Sequence, residues 1–410
     1  MKEALGSLLV VDDDSFNLDI ICPRLERRGY QVDATTDSKK ALELIRKGSY
    51  DLILLDIMMP GVDGRQVLKE TRQHRSRAQL PVIMVTSLDS PRDVVDALRE
   101  GANDYVTKPI DVEVLLARVA THVILKRTAE SLEESNRRLE QVNAQLRRDL
   151  EAAAKVQRSL LPAHTPKFEN YEFAWRYEPC EQLGGDNLNI MALSENQIGF
   201  YVLDVSGHGV QAALMSVAVN HLLEPSQEDT SVVNRPNRLR HSESEPGYFA
   251  AAPREVAERL NRHFMFDLSV AQYFTMFYAV LNRAERTCRY VSTGHPAPLH
   301  LTADGEIKVL ESSGLPIGIF QPGEPGYEAF EERTIDLKEG DRLCVYSDGI
   351  VELRNKTQTE FGVDRLSEVL RQSRQKSLDQ CLEGVFAATT EWRDGGPLCD
   401  DLSMLALDVR

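Results

Sequence analysis

The sequence predicts three parts in succession: a doubly wound α/β domain on a five-stranded parallel sheet, a long helical coiled-coil linker, and an α+β layered β-sandwich domain. Three observations predict them. Through residue 110, short and nearly unbroken apolar runs alternate with amphipathic stretches. From residue 112 to residue 161 there is neither Pro nor Gly. Beyond Pro162 longer strand patterns come in runs, with helical patterns grouped between them. At 410 residues the chain has the length for two or three domains.

In the first part the strand candidates are LLVVD (8–12), YQVDAT (30–35), DLILLD (51–56), PVIMVTS (81–87) and DYVTK (104–108). The second is half-polar, as at a sheet edge; the others are nearly continuous apolar runs, as parallel strands covered on both faces require. Helical patterns fill 16–28, 38–46, 64–74 and 91–99. Five such units in order imply a parallel sheet that gathers ligands at the carboxyl ends of its strands. In the linker, Leu132, Leu139, Leu146, Ala153 and Leu160 recur every seven residues. Val142 and Val156 stand three after two of these, and Asn136, Asn143 and Leu150 four after others. This is a heptad seam, and Asn within it favours one register in a parallel dimer. The alternative is a single amphipathic helix lying on its own domain.

The third part has strand patterns YEFAWRY, QIGFYVLDV, YFTMFYAVL, RTCRYVSTG, RLCVYSDG and DLSMLALDV, and helical patterns at 210–223, 253–266, 363–371 and 378–392. Residues 224–249 are polar and Pro-containing, which predicts a flexible insertion. The predicted bounds are 1–125, 126–161 and 162–410.

A formal net charge of −16 disfavours non-specific binding to nucleic acid or anionic lipid. No apolar run approaches the ~18 residues of a membrane span, and aspartates interrupt the N-terminus before a signal peptide could form. The six cysteines are far apart and form no C-x-x-C pair, so neither zinc nor a disulfide framework is indicated. A soluble, cytoplasmic protein is expected. No short basic helix-turn-helix segment follows the linker, so a DNA-binding output is not expected either.

Asp12 and Asp13 end the first predicted strand, Asp56 the third and Thr86 the fourth, and Lys108 follows the fifth. Parallel topology brings them to one edge. One Asp at a strand end is a turn or cap residue, whereas three converging carboxylates repel one another and call for a cation. Hard oxygen donors with an open face suit Mg²⁺, and Lys108 and Thr86 would meet a phosphoryl group. Pro109 fits a cis peptide that holds Lys108 in place. At VDDD, LLDIMMPGVDG, VTS and YVTKP the chain resembles the CheY-like receiver domain of two-component response regulators, over about residues 1–125. That resemblance implies Asp56 as phosphoacceptor, with Mg²⁺ held by Asp13, Asp56 and the Met58 carbonyl and by Asp12 through water. It also implies Thr86 and Tyr105 as the switch pair, and a cognate histidine kinase as partner.

Four motifs carry a second set of aspartates: LGGD (Asp186), LDVSGHG (Asp204), VYSDGIVE (Asp348) and CDDLSML (Asp400 and Asp401). Each alone reads as a turn or cap. Three abut apolar strands, where an unpaired carboxylate is expensive. Together they fit a two-metal hydrolytic site, with Mg²⁺ or Mn²⁺ favoured over Zn²⁺ because no His-rich or thiolate ligand set is present. His208 and His295 are candidates for a general acid; the alternative, favoured for His295, is a histidine bracing a Gly-rich turn. Arg176 either holds substrate phosphate or pairs with a neighbour such as Glu178.

With AKVQRSLLP, WRYEPCEQLGGD, STGHPAPL and SGLPIGIF added, the chain is similar over residues 154–407 to metal-dependent serine/threonine phosphatases of the protein phosphatase 2C class (PPM), in the SpoIIE/RsbU-like branch. The similarity implies that Asp204 bridges two Mn²⁺ or Mg²⁺ ions. Asp348 and Asp400 would complete one site, Asp186 and the Val205 carbonyl the other. Hydrolysis would be direct, with no covalent enzyme intermediate. One departure stands at GGDNLNI, where Asn189 replaces the second aspartate that the family often has. The expected whole is a response regulator whose phosphorylation at Asp56 controls a phosphoserine/phosphothreonine phosphatase, dimeric through the coiled coil. By the same similarity its substrate is a phosphorylated STAS anti-sigma-factor antagonist in a partner-switching pathway. The rival is a degenerate, phosphatase-like adaptor that binds a sigma-factor regulator without hydrolysis.

Overall fold

The computed structural model describes residues 4–86, 91–162, 165–166, 168–226, 230–236, 248–264 and 272–410. The chain divides into two compact units, Met1–Gln145 and Leu146–Arg410. In the first, five strands alternate with helices: β1 (Ser7–Val11), α1 (Ser15–Arg27), β2 (Gln31–Thr35), α2 (Ser38–Lys47), β3 (Leu52–Asp56), α3 (Gly64–His74), β4 (Val82–Thr86), α4 (Pro91–Glu100) and β5 (Asp104–Thr107). Three of the helices start on an aspartate that accepts a backbone N–H of the first turn. Asp14 takes that of Phe16, Asp37 that of Lys39, and Asp63 that of Gln66. Each carboxylate satisfies an orphan donor and sits at the positive end of the helix dipole. The strands pair in parallel in the order β2-β1-β3-β4-β5. β3 and β4 are buried along their whole length, whereas β2 is mostly exposed at the edge. Alternate residues of β1 and β3 point to opposite faces: Leu9 and Ile53 pack with Ala41 and Leu68, while Leu8 and Leu52 pack with Leu25 and Val119.

The next element, α5 (Val112–Arg158), is one continuous helix of 47 residues. Its first turns bury Leu115, Val119 and Val123 in the receiver core. Lys126 then donates to Asp51 and to the Tyr50 carbonyl at 2.9 and 3.1 Å. Along the middle, Leu132, Leu139, Val142 and Leu146 are all more than half exposed. The last turns belong to the second unit, where Leu150 and Ala154 pack on Leu183 and Ala213. No helix among the described residues is long and apolar enough to cross a membrane.

The second unit contains β6 (Tyr171–Glu178), β7 (Asn187–Ala192), β8 (Gln197–Val205), α6 (Val210–Leu223), β9 (Asn234–Pro236), β10 (Tyr248–Ala250), α7 (Pro253–His263), β11 (Phe274–Asn282), β12 (Thr287–Thr293), β13 (Leu299–Leu301), β14 (Ile307–Val309), β15 (Glu332–Asp336), β16 (Arg342–Tyr346), α8 (Asp348–Val351), α9 (Gly362–Gln372), α10 (Leu378–Arg393) and β17 (Leu402–Val409). Two antiparallel five-stranded sheets, β15-β12-β11-β8-β7 and β14-β13-β16-β17-β6, stack over a core that includes Phe173, Phe200, Phe277, Val345 and Leu405. Helices α6 and α7 cover the outer face of the first sheet, and α8, α9 and α10 cover that of the second. The sequence patterns did not contain β7, β13, β14 or β15. β7 is broken by Asn187 and Asn189, and two of the others have three residues each. Of the predicted insertion, 227–229 and 237–247 lie outside the described residues; its described margins include β9 and β10, which pair with each other. The predicted extension of α7 to residue 266 also reaches beyond the described residues.

Candidate functional site

At the carboxyl edge of the parallel sheet, Lys108 Nζ lies 2.7 Å from Asp56 Oδ2 and 3.0 Å from Asp12 Oδ2. The Lys108–Pro109 peptide is cis. Asp12, Asp13 and Asp56 offer oxygens all within 4.8 Å of one another, the one such trio among the described residues. Asp12 and Asp56 are buried and Asp13 faces solvent. Asn17, in the first turn of α1, donates to both Asp12 oxygens, and the Met58 N–H donates to Asp56 Oδ1 at 3.3 Å. Burial raises the Asp56 pKa, and the charge of Asp12 adds to it despite the Lys108 bond. Burial alone would lower the Lys108 pKa, but its bonds to Asp56 and Asp12 outweigh that and raise it. The ammonium therefore stays charged. Thr86 is buried at the end of β4, and the Arg118 guanidinium of α5 sits over the Tyr105 ring, 5.8 Å from its centre. Hard donors with one carboxylate open to solvent fit Mg²⁺.

In the second unit strand register does the gathering. Asn187 pairs with Leu203, so Asp186 falls opposite Asp204, on the face between the sheets. On the other sheet Ser347 and Ser403 are tied through backbone and hydroxyl at 3.0 Å. Asp348 follows as the first residue of α8, and Asp400 and Asp401 precede β17. A Cβ on Gly349 would lie 2.1 Å from the Asp401 carbonyl oxygen, so the Asp-Gly pair is what lets the Asp348 turn rest on the double-aspartate loop. The Val205 carbonyl oxygen faces the LGGD turn, 2.7 Å from where a Cβ on Gly185 would sit. Asp186 and Asp401 are buried, Asp204 and Asp348 partly so, and Asp400 is exposed at the rim. There His208 Nδ1 lies 3.1 Å from Glu181 Oε1.

Like charges directly opposite on paired strands are unfavourable, and after burial the charge of Asp204 raises the Asp186 pKa. Burial, then the charges of Asp348 and Asp400, push the Asp204 pKa up to about 7. Burial and Asp400 push Asp348 up to about 6, and Asp186 and Asp400 are raised as well. Asp186 Oδ2 is buried with no hydrogen-bond partner. No three of these carboxylates bring their oxygens within 4.8 Å of one another, a wider spread than in the receiver and one that two cations about 3.5–4 Å apart would span. Carboxylates and a carbonyl fit hard divalent ions.

A pH dependence follows for the metal-free protein. An unfolded aspartate ionises near pH 4. With folded pKa values raised above that, these groups stabilise the fold fully below about pH 4, and the contribution is lost as pH rises through 6 to 7. In EDTA, calorimetry of the second unit's transition is expected to give a lower Tm at about pH 8 than at about pH 5. Added Mn²⁺ reverses the difference, and a Tm independent of pH would contradict the repulsion.

The profile of the family Stage II sporulation protein E (SpoIIE) matches residues 194–410, more than half of the chain. The chain belongs to the SpoIIE family. A second family, the response regulator receiver domain, matches residues 8–120. This SpoIIE-family chain is 19% identical to the SiaA-PP2C domain of Pseudomonas aeruginosa, with a TM-score of 0.51 over 66% of this chain and 99% of that one; the two share a fold. It is 41% identical over 114 residues to the uncharacterized transcriptional regulatory protein YkoG of Bacillus subtilis (strain 168), covering 28% of this chain and 49% of that protein. With the transcriptional regulatory protein HprR of Escherichia coli (strain K12) it shares 38% identity over 143 residues, covering 35% of this chain and 63% of that protein. Both of these matches concern the receiver. The chain spans about half the length of the first of these curated relatives. The SpoIIE-family chain is thus a receiver domain joined, through a long helix, to a domain of the PP2C phosphatase fold.

Three further residues singled out in the sequence take these settings. His295 is buried, with Nδ1 2.9 Å from Thr275 Oγ1, and burial pushes its pKa down to about 3. It stays neutral and braces the strand next to Asp204. Arg176 stacks over Phe386 at 4.9 Å, on the sheet face that α10 covers, away from the carboxylates. Asn189, three residues past Asp186, points to the other face of β7, so the departure from the family pattern does not touch the cluster.

Asp401 was legible as half of a doubled aspartate but carried no role. In the SpoIIE fold it accepts the Cys180 N–H at 2.8 Å, the Asp186 N–H at 3.2 Å and the Tyr177 hydroxyl at 3.4 Å. Asp401→Ala leaves the buried Asp186 N–H and the two part-buried donors unpaired and is expected to destabilise the second unit by about 3 kcal/mol. Urea denaturation checks this; a change below about 1 kcal/mol would show that the donors find water instead.

Proposed function

We propose that this chain is a two-component response regulator whose phosphorylation at Asp56 controls a Mn²⁺- or Mg²⁺-dependent phosphoserine/phosphothreonine phosphatase. Its substrate in this reading is a phosphorylated STAS anti-sigma-factor antagonist in a partner-switching pathway. One observation carries the catalytic half: Asp186 and Asp204 oppose each other in register, with Asp348 and Asp400 at the same end of the sandwich. Asp204 would serve both cations, Asp348 and Asp400 one, and Asp186 with the Val205 carbonyl the other. When bound, the cations neutralise phosphate charge and acidify water. The chain's own residues do the rest. Asp401 fixes the Asp186 backbone, exposed Asp400 would leave the site open to a protein-borne phosphate, and His208 at the rim would hand a proton to the leaving serine oxygen.

In the receiver, Lys108 would turn from Asp12 and Asp56 to a phosphoryl group on Asp56, with Mg²⁺ held by Asp13, Asp56, the Met58 carbonyl and, through water, Asp12. Thr86 would follow that group and Tyr105 would follow Thr86. Arg118 contacts Tyr105 and belongs to α5, which runs without a break into the second unit. A cognate histidine kinase would supply the phosphoryl group. The exposed seven-residue series Leu132, Leu139 and Leu146 supports pairing with a second copy. Leu139→Lys is therefore expected to turn a dimer into a monomer in analytical ultracentrifugation at micromolar concentration; an undiminished dimer would remove the seam from the account.

The enzyme reading is tested by Mn²⁺-dependent turnover of p-nitrophenyl phosphate by the full chain, expected to vanish in EDTA. A stable complex with a phosphorylated STAS protein and no turnover would favour the adaptor instead.

A further inference from the structure

The last turns of α5 turn an apolar face to the second unit. Leu150 and Ala154 pack on Leu183 and Ala213. In the same stripe stands Gln157, 7% exposed. A buried glutamine in apolar surroundings is unfavourable unless its amide is paired, and this one is paired on both ends. Its Nε2 donates to the Gly184 carbonyl at 2.6 Å and to Ser216 Oγ at 3.2 Å, and its Oε1 accepts the Gly184 N–H at 3.3 Å. Both backbone groups of Gly184 therefore end on one side chain of α5.

Gly184 is two residues before Asp186, and its other side is closed. A Cβ there would lie 2.0 Å from both Asp401 Oδ2 and the Tyr177 hydroxyl. Asp401 in turn holds the Asp186 N–H. The LGGD turn is thus held between a helix side chain and a buried carboxylate. A leucine would pack at 157 as well as glutamine does; only an amide closes both Gly184 groups. At 3.6 residues per turn, a rotation of α5 by one residue swings the amide by about 100° and leaves both groups buried and unpaired.

We propose that Gln157 is a positioning residue that sets the LGGD turn, and through it Asp186, so that the axial and rotational setting of α5 governs the cation affinity of the Asp186 seat. This role rests on the two-metal reading above, and it gives α5 a defined point at which to act on the phosphatase domain. Residues that orient a ligand from outside typically weigh 10- to 100-fold on metal affinity.

The test uses the full chain with Mn²⁺ as the probe and two variants, Gln157→Met, which keeps the volume, and Gln157→Ala, which keeps the helix. Two quantities are read: the Mn²⁺ concentration giving half-maximal p-nitrophenyl phosphate turnover, and the Mn²⁺ concentration giving half of the full rise in Tm, which needs no turnover. Both are expected to increase about ten-fold in either variant, with kcat at saturating Mn²⁺ within about two-fold of the parent. A side chain that only packs would lower the metal-free Tm and leave both Mn²⁺ midpoints in place; that result overturns the proposal. If one variant does not fold, the other decides. A parent chain whose Tm does not respond to Mn²⁺ would overturn the two-metal reading and this role with it, whereas a responsive parent with unshifted variants overturns the role of Gln157 alone.

Discussion

Asp204→Asn is expected to remove Mn²⁺-dependent hydrolysis, by on the order of 10³-fold or about 4 kcal/mol in the barrier, and at the same time to stabilise the metal-free protein. The two effects have one cause. Asp204 faces Asp186 across the β7–β8 pair and feels Asp348 and Asp400 from the other sheet. Its pKa of about 7 means that at pH 8 its charge works against the fold. Asparagine keeps the shape and takes the charge away, so calorimetry in EDTA at about pH 8 is expected to show a higher Tm than the parent. It cannot replace a carboxylate shared by two cations, so turnover is lost and the Mn²⁺-induced rise in Tm shrinks. Full turnover in the variant would remove Asp204 from the site, and a lower metal-free Tm would show that its charge is compensated by something other than a cation.

Asp56→Asn is expected to bring phosphoryl incorporation from a small phosphodonor such as acetyl phosphate down to background, at least about 100-fold, and to make phosphatase activity indifferent to the donor. Asp56 is the one buried carboxylate of the trio in contact with both Lys108 and the Met58 N–H. Asp12 is already committed to Asn17 and Lys108, and Asp13 has no contact with the ammonium. Asparagine leaves Lys108 its bond to Asp12, so the receiver is expected to keep its fold, by circular dichroism. Label that persists at a neighbouring aspartate would relocate the acceptor.

What the sequence disclosed depended on how each element is made. Four of the five receiver strands were legible because each is a short apolar run bounded by polar residues, and its helices because an aspartate stands at the start of three of them. β7 was not, since Asn187 and Asn189 interrupt its outward face while Leu188 and Ile190 alone face the core. The four metal-candidate aspartates were each visible beside a strand or glycine, but that Asp186 and Asp204 are exact cross-strand neighbours needs the register of β7, the strand that was missed. Asp401, Ser347 and Ser403 act through backbone contacts that leave no periodic trace. Gln157 did leave one: a lone polar residue in a stripe otherwise filled by Leu150 and Ala154. Arg176 misled because a strand arginine near a motif says nothing of which sheet face it occupies.

The most direct measurement is the release of label from a phosphorylated STAS protein by the full chain with Mn²⁺, made side by side with and without beryllofluoride bound at the receiver. The expected result is Mn²⁺-dependent release whose rate differs between the two receiver states. Release at one identical rate in both states would separate the receiver from the phosphatase, and label that never falls in either would end the assignment of an enzyme.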